Sequence, residues 1–244
     1  MEQAEHTDKR GYNTQEHWEK SGERSWKDYI WLYNNLKKHY HSQEPIGKIL
    51  DIGCGHANFL DCCKENGSPA GNLFGIEGEP ESLEICKKKG YNIASIDLET
   101  DKLPYPDNTF SVVICSQLIE HISKKAGTDL ISEIFRVLKK DGLLLIYSPS
   151  YYNKTGQTMP FHIYCWKPYE LRDLMRKTGY RNIVTKVSAL QWYDLKAYND
   201  SWHQRKYKQK PNLFELFLKY SVYALYKLTK NQRLLSQTAF AAYK

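Results

Sequence analysis

The feature that most constrains the fold is a glycine turn behind a short apolar strand, in the stretch KILDIGCGH at 48–56. The apolar residues predict a buried strand that carries Asp51 and leads into Gly53 and Gly55. A helix is predicted over 56–66. Glycines let the backbone approach a ligand closely, and a helix N-terminus offers N–H groups. Strand, turn and helix together predict a nucleotide-type pocket.

The turn lacks the features of a phosphate site. A phosphate-binding turn normally has a third glycine or a Gly-Lys-Ser/Thr ending. Here the third glycine position is Asn58, and no lysine is placed to meet a phosphate. We therefore expect a ligand without phosphates that brings a carboxylate and an amine to the turn. S-adenosyl-L-methionine (SAM) meets these requirements.

The length and the cysteine pattern predict one domain in a reducing compartment. A chain of 244 residues suits a single α/β domain with a full core. The six cysteines form no C-x-x-C pair, so we expect buried free thiols. The first twenty residues have no apolar segment typical of a signal peptide, and no run of eighteen apolar residues occurs. We expect a cytoplasmic protein.

The positive charge is concentrated at one end of the chain. Residues 192–244 contain ten Lys/Arg and three Asp/Glu, whereas 1–191 contain 25 of each sign. This distribution predicts a local basic surface on a neutral body. Because phosphate tracking normally requires basic charge around the pocket itself, we do not expect a nucleic-acid partner.

Strand-like and helix-like segments alternate from 47 to 190, which is typical of a doubly wound parallel sheet. Strands are predicted at 48–53, 72–77, 92–97, 110–116, 143–148, 181–190 and 235–244. Helices are predicted at 24–40, 56–66, 80–89, 127–140, 167–178 and 213–228. We divide the single domain 1–244 into a helical lead (1–46), a core (47–190), a basic and aromatic insertion (192–233) and a last strand (235–244).

Four ordered motifs resemble one family, the class I SAM-dependent methyltransferases of the small-molecule type. They are ILDIGCGHANFL (49–60), FGIEGE (74–79), IDLETDKLPYPDNTFSVVICSQLIEHI (96–122) and EIFRVLKKDGLLLIYSPS (133–150). The resemblance covers roughly 45–190 and the final strand. It implies a Rossmann-like α/β fold, a seven-stranded mixed sheet of order 3-2-1-4-5-7-6 with helices on both faces, and an antiparallel seventh strand.

The resemblance also implies which residues hold SAM. The glycine turn would hold the methionine end, an acidic residue after strand two the ribose hydroxyls, and the segment after strand three the adenine. A carboxylate suits a cis-diol because it accepts two strong hydrogen bonds. The implied cofactor-binding residues are Asp51, Gly53, Cys54, Gly55, Glu77, Gly78, Asp97, Leu98, Ser116 and Gln117.

The implied catalytic residues lie just after strand four. His121, with Glu120 beside it, is the predicted general base because imidazole titrates near neutrality; a structural role for His121 is the alternative. We expect the acceptor to contact Tyr151, His162 and Trp192.

The segment QLIEHI resembles the metal-binding E-V-x-E-H element of ubiquinone-pathway O-methyltransferases and small-RNA 2′-O-methyltransferases, but Gln117 replaces its first glutamate. We expect catalysis without a metal, with a divalent ion as the alternative.

The predicted reaction is methyl transfer to a hydroxyl group, or an amine, of a small-molecule or lipid-linked acceptor. Two alternatives stay open, an RNA methyltransferase and a non-catalytic SAM-binding partner protein. The insertion has two interpretations as well. It forms a lid over the acceptor, or its segment 205–228 makes a peripheral contact with an anionic membrane.

Overall fold

A computed structural model describes residues 25–42, 45–159, 161–189 and 235–244, together with seven helical positions between 217 and 229. The N-terminal residues 1–24, the basic stretch 205–210 and Trp192 lie outside the described residues. Within the described part, no helix is both long enough and apolar enough to cross a bilayer.

The strands of the described residues are β1 (Ile49–Ile52), β2 (Leu73–Ile76), β3 (Asn92–Ala94), β4 (Phe110–Ser116), β5 (Leu138–Pro149), β6 (Arg181–Ala189) and β7 (Leu235–Tyr243). They form one sheet of order β3-β2-β1-β4-β5-β7-β6. β7 pairs antiparallel with both β5 and β6, and the other pairs are parallel. The predicted topology is therefore confirmed.

The helices are α1 (Ile30–His39), α2 (Asn58–Glu65), α3 (Pro80–Lys89), α4 (Lys124–Val137), α5 (Lys154–Gln157) and α6 (Pro168–Thr178). They cover both faces of the sheet, and two short 3-10 segments, Trp26–Tyr29 and Ala70–Asn72, accompany them. One core cluster packs under α4 and α6, and the other packs under α1 and α2.

The starts of α4 and β5 differ from the predicted positions for local reasons. Helix α4 begins at Lys124, not at 127, because the Ser123 hydroxyl accepts the N–H of Ala126 (3.1 Å) and caps the helix. Strand β5 begins at Leu138, five residues before the prediction, because Leu138 pairs with Phe110 ahead of a register shift. The short helix α5 was not predicted at all.

The predicted buried thiols are found, and the predicted helix 24–40 is found as the 3-10 segment Trp26–Tyr29 followed by α1. All six cysteines are free and buried. In α1, Leu32, Tyr33 and Leu36 pack into the core, as expected of a helix lying on the sheet. Trp31 is exposed instead, and its ring meets the edge of Tyr147 with centroids 5.0 Å apart.

Candidate functional site

The predicted site residues converge because three parallel strands end at one edge of the sheet. Ile52 at the end of β1 pairs with Ile76 of β2 on one side and Cys115 of β4 on the other. The segments that follow these strands therefore leave from the same edge. Parallel α/β sheets bind ligands at this edge, outside the carboxyl ends of the strands.

The first half of the glycine turn is fixed by β2 and by the segment after β4. The N–H groups of Gly53 and Cys54 both donate to the carbonyl of Ile76, at 2.9 and 3.0 Å. Gly53 has φ +73°, and a Cβ at this position would lie 2.9 Å from Cδ1 of Leu118. Glycine is therefore required here by conformation and by space.

The second half of the turn delays the helix. Gly55 and Ala57 both have left-handed backbones, with φ +52° and +59°. Because Ala57 cannot be helical in this conformation, α2 begins at Asn58, two residues later than predicted.

Glu77 connects the turn to the segment after β2. Its carboxylate accepts the N–H groups of Gly55 (2.7 Å), Gly78 and Glu79 (both 2.9 Å). Burial raises the pKa of Glu77, and these three backbone bonds offset part of that rise. A carboxylate has about four acceptor sites, so ribose hydroxyls would have to share Glu77 with the backbone. Its predicted ribose contact stays a prediction.

Asp51 adds a second buried carboxyl group to this edge. Burial, together with the negative charge of Glu77, raises the pKa of Asp51 to about 7. Two acidic groups that disfavour each other's charged form are suited to a cationic ligand. SAM carries a sulfonium and an ammonium group, so the residues present fit this cofactor.

The residues after β3 form a tight turn on the other side of the site. The Asp97 carboxylate accepts the N–H of Glu99 (2.9 Å), and the N–H of Asp97 donates to Asp101 (2.9 Å). This turn ends β3 at Ala94, short of the predicted 97. Leu98 packs partly against the core. Asp97 is exposed and Leu98 is half-buried, and their predicted contact with adenine stays a prediction.

The segment after β4 turns sharply at Gln117. Its backbone is left-handed (φ +54°), and its N–H donates to the carbonyl of Tyr147 in β5 (2.8 Å). Ser116 is the last residue of β4 and is half-buried, whereas Gln117 is exposed. Both residues lie at the edge where the sequence places the methionine end of SAM.

Glu120 and His121 are held against the segment that follows β5. The carbonyl of Glu120 accepts the N–H groups of Ile163 (2.7 Å) and Tyr164 (3.2 Å). The side chains of Glu120, His121 and His162 lie together, with one potential ligand atom from each within 4.8 Å of the others. The structure therefore brings the adjacent residues Glu120 and His121 next to His162, which follows His121 by 41 positions in the sequence.

The Glu120 carboxyl group is completely buried. Neither of its oxygens has a hydrogen-bond partner with good geometry among the described residues. Burial raises the pKa of Glu120 to about 8, and the backbone N–H of Glu120 and the nearby Ser148 hydroxyl offset only part of this rise. A buried polar group without partners is unusual in a folded protein.

Phe161, which is not among the predicted site residues, orients His121. The two rings stack with centroids 5.3 Å apart, and the carbonyl of Phe161 contacts Nδ1 of His121 at 3.0 Å. Because a carbonyl can only accept, Nδ1 carries the proton and Nε2 is the basic nitrogen of the neutral ring. The only available signal was the position of Phe161 next to His162.

A second missed element is the clamp on the start of α2. Lys89 donates to the carbonyl of His56 and to the Asp61 carboxylate, both at 2.6 Å. The Tyr91 hydroxyl donates to the other Asp61 oxygen (2.8 Å). The end of α3 thereby fixes the backbone immediately after the glycine turn.

Of the remaining predicted acceptor residues, Tyr151 is exposed, and the ammonium group of Lys167 lies 4.9 Å from its ring centroid. Trp192 lies outside the described residues. Their predicted contact with the acceptor stays a prediction.

Comparison with known proteins gives the same assignment for the core. Residues 50–146 match the family model described as methyltransferase domain. The Campylobacter jejuni protein named ubiquinone/menaquinone biosynthesis C-methyltransferase UbiE is 25% identical over 150 residues, which are 60% of each chain. The chain spans only 18–31% of the length of five other curated relatives.

Solved structures share the fold. A SAM-dependent methyltransferase from Archaeoglobus fulgidus superimposes with a TM-score of 0.64 at 20% identity, over 90% of this chain and 95% of that one. Phosphoethanolamine N-methyltransferase 2 from Haemonchus contortus, solved with SAM, gives 0.57 at 19% identity, over 88% and 52%. The sheet order, the glycine turn and the methyltransferase-domain match over 50–146 agree, and the fold is that of the class I SAM-dependent methyltransferases.

Proposed function

We propose that this protein transfers the methyl group of SAM to a hydroxyl group, or an amine, of a small-molecule or lipid-linked acceptor. The observation that carries the proposal is the arrangement at one sheet edge. The glycine turn, Asp51 and Glu77 lie after or within β1 and β2, and the Glu120–His121–His162 cluster follows β4 and β5. A cofactor site and a basic side chain thus share the edge at which β1 and β4 pair.

The chain's own residues then have separate tasks. SAM, when bound, supplies the methyl carbon and a thioether leaving group. Asp51, Glu77 and the turn at Gly53–Gly55 hold the cofactor, whereas the segment after β4 faces the acceptor. Alignment of the two reactants is worth up to about 7–11 kcal/mol in well-oriented reactions.

His121 is the proposed base. Its Nδ1–H donates to the carbonyl of Phe161, which leaves Nε2 as the nitrogen that accepts the acceptor's proton. Such a base contributes roughly 10²–10⁴-fold to the rate. The similar proteins described above include a C-methyltransferase and an N-methyltransferase, so the acceptor atom must be established from the product.

The first experiment is transfer of labelled methyl from SAM by the purified protein into a cell extract. The products are separated into organic-soluble, small aqueous and nucleic-acid fractions. The proposal expects label in one of the first two fractions. Label in the nucleic-acid fraction would favour an RNA methyltransferase instead, and SAM binding without any transfer would favour a non-catalytic SAM-binding protein.

A pair of histidine variants tests the base. We expect His121→Ala to lose about 10²–10⁴-fold in transfer rate and to keep its affinity for SAM. His41→Ala is the matched control, because His41 stacks near Tyr243, at the opposite end of the sheet (6.1 Å between centroids). Equal rates for the two variants would remove His121 from the mechanism and leave it a structural role.

We also propose that the segment 205–228 contacts an anionic membrane. Four apolar side chains at described helical positions are exposed: Phe217 by 68%, Tyr220 by 67%, Leu225 by 48% and Leu228 by 84%. Their spacing places them on one helical face. Residues 205–233 contain eight basic residues and one acidic residue. An apolar face next to a basic stretch suits a negatively charged lipid surface.

Vesicle sedimentation tests this contact. We expect the protein to sediment with phosphatidylglycerol-containing vesicles, less at high salt, and Leu228→Glu to reduce the bound fraction. Val184→Glu is the control, because Val184 is 44% exposed on β6 and the charge change is identical. A face that joins two copies of the chain would show instead as a dimer dissociated by Leu228→Glu, without vesicle binding.

The aromatic residues of the predicted lid, including Trp192, lie outside the described residues. The lid therefore stays a prediction. A cytoplasmic location remains part of the proposal, supported by the six buried free thiols.

A further inference from the structure

Two cysteines from different elements meet behind the glycine turn. Cys54 lies between the two glycines of the turn, and Cys86 lies on α3. The Cys86 thiol donates to the carbonyl of Gly55 at 3.1 Å, and the Cys54 sulfur approaches the same oxygen at 3.9 Å. Both thiols are free. The fold therefore brings two reduced sulfurs from separate segments to one backbone atom.

The pair is held in place by rigid elements. A Cβ added at Gly75 of β2 would lie 2.7 Å from the Cys54 sulfur, so the glycine provides the space that this side chain occupies. Cys86 is completely buried, and Cys54 is 8% exposed. The approach of the two thiols is thus a property of the packing and does not depend on mobile surface side chains. A small reagent reaches the pair from the side of Cys54.

The two thiols are chemically unequal. Their mutual interaction lowers the pKa of Cys86, and the positive charge of Lys89 acts in the same direction. The same interaction, together with burial, raises the pKa of Cys54. Because the thiolate is the reactive form of cysteine, Cys86 is the sulfur that an oxidant attacks first. Cys54 is then the thiol that completes the reaction.

We propose that Cys54 and Cys86 are a redox modification site, which hydrogen peroxide converts to an intramolecular disulfide that lowers the affinity of the turn for SAM. The Cys86 sulfur attacks peroxide, the O–O bond breaks, and a sulfenic acid and one water are formed. The Cys54 sulfur then attacks the sulfenic sulfur, and a second water leaves. The two thiols lose two hydrogens and two electrons in total, and peroxide is reduced to two waters.

The disulfide changes the turn because its geometry is strict. It joins the sulfurs at about 2.0 Å and requires Cβ atoms about 3.5–4.5 Å apart, so the turn and α3 are drawn together. Cys86 also loses the proton that it donates to the Gly55 carbonyl. The N–H of the same Gly55 donates to Glu77 at 2.7 Å, so the change extends to the carboxylate predicted to hold the ribose. The effect on SAM rests on the proposed function, whereas the disulfide itself does not.

A disulfide of this kind is compatible with the predicted cytoplasmic location. Disulfides of cytosolic proteins are usually transient and either catalytic or redox-sensing. Thiol–disulfide exchange with a reduced thiol would restore both cysteines. The site would therefore lower cofactor binding reversibly under oxidising conditions.

The first test is mapping of the disulfide in the full-length wild type. The protein is reduced, freed of reductant, treated with hydrogen peroxide and blocked with N-ethylmaleimide. Digestion with trypsin and an aspartate-specific protease places Cys54, the neighbours Cys62 and Cys63, and Cys86 on three different peptides. We expect a linked pair of the Cys54 and Cys86 peptides that lacks two hydrogens. Bound SAM should slow its formation, because it covers the turn.

The second test is the calorimetric affinity for SAM before and after oxidation. We expect peroxide to weaken binding by about tenfold or more in the wild type, and dithiothreitol to restore it. Cys86→Ser should bind SAM like the untreated wild type and resist peroxide. Cys62→Ser is the matched control, because Cys62 is equally buried, lies on α2 and leaves the proposed pair intact, so this variant should respond like the wild type.

Circular dichroism establishes that each variant is folded, and the peptide measurement needs no variant. Absence of the linked peptides in the wild type would overturn the proposal. A disulfide that leaves SAM affinity unchanged would also overturn it, as would an equal loss of affinity in Cys86→Ser.

Failure of this inference and failure of the proposed function are distinguishable. Peptide mapping and SAM affinity are measured without turnover, so a protein that transfers no methyl group still tests the cysteine pair. Methyl transfer by a protein that forms no disulfide would leave the proposed function intact and overturn the redox site. A reduced wild type that binds no SAM would contradict the proposed function, and the linked peptides would still test the pair.

Discussion

Asp51 is expected to destabilise the ligand-free fold at neutral pH. Its carboxyl group is buried, and burial together with Glu77 raises its pKa to about 7, against about 3.9 in an unfolded chain. Between these two values the folded state binds more protons than the unfolded state. Stability is therefore lost as the pH rises through this window. The full difference of about three pKa units corresponds to ~4 kcal/mol.

Asp51→Asn removes the ionisation but keeps the shape of the side chain. The wild type loses most of this stability between pH 5 and pH 8, whereas the variant does not. We therefore expect the difference in the free energy of unfolding, variant minus wild type, to grow by about 2–3 kcal/mol over this pH range. The constant cost of burying an amide affects the variant equally at every pH. This constant cost therefore does not change the slope of the free energy of unfolding against pH, which is the quantity to be compared.

The assay is urea unfolding of the wild type and the variant at several pH values without SAM, with linear extrapolation to water. Asp141→Asn is the control. Asp141 is an exposed carboxylate with a left-handed backbone (φ +61°) that asparagine tolerates, and it pairs with Arg181 at the surface. If the wild type and Asp51→Asn changed in parallel from pH 5 to pH 8, the electrostatic argument would be refuted.

The same substitution should weaken SAM binding. Loss of a charge-assisted hydrogen bond is worth about 1.5–3 kcal/mol, or roughly 10–100-fold in the dissociation constant. Titration calorimetry at pH 8 measures this loss directly. A variant that gains stability and loses cofactor affinity would show that the buried charge is retained for binding.

Three further substitutions test the cofactor site. Glu77→Gln should weaken SAM binding by tenfold or more, about 1.4 kcal/mol, because the amide loses acceptor capacity toward the turn; unchanged calorimetric affinity would contradict this role. Gly53→Ala should lower the free energy of unfolding in urea by about 1–3 kcal/mol, from the left-handed backbone and the approach to Leu118; an unchanged midpoint would contradict it. Lys89→Met should lower the free energy of unfolding by about 1–3 kcal/mol, because Asp61 loses its cationic partner. Equal stability of this variant and the wild type in urea would mean that the fold does not need the contacts of Lys89 with α2.

The sequence indicated the α/β class and the position of the glycine turn, because these depend on local patterns. Apolar strands that alternate with helices indicate a doubly wound sheet, and the glycines between Ile52 and Asn58 mark the turn. The strand order and the role predicted for Glu77 were implied by the resemblance to the class I methyltransferases. Two backbone features could not be predicted, because no sequence pattern shows that Ala57 has a left-handed backbone or that Ser123 caps the start of α4.

The acceptor half was decided by tertiary structure. Glu120 and His162 are forty-two positions apart, and only the pairing of β4 with β5 and the bonds from Ile163 bring them together. The burial of Glu120 and the stacking of Phe161 on His121 depend on the same long-range packing. The electrostatics of the edge follow the same rule, because a pKa is set by what surrounds a carboxyl group in space, and sequence position alone does not reveal those surroundings.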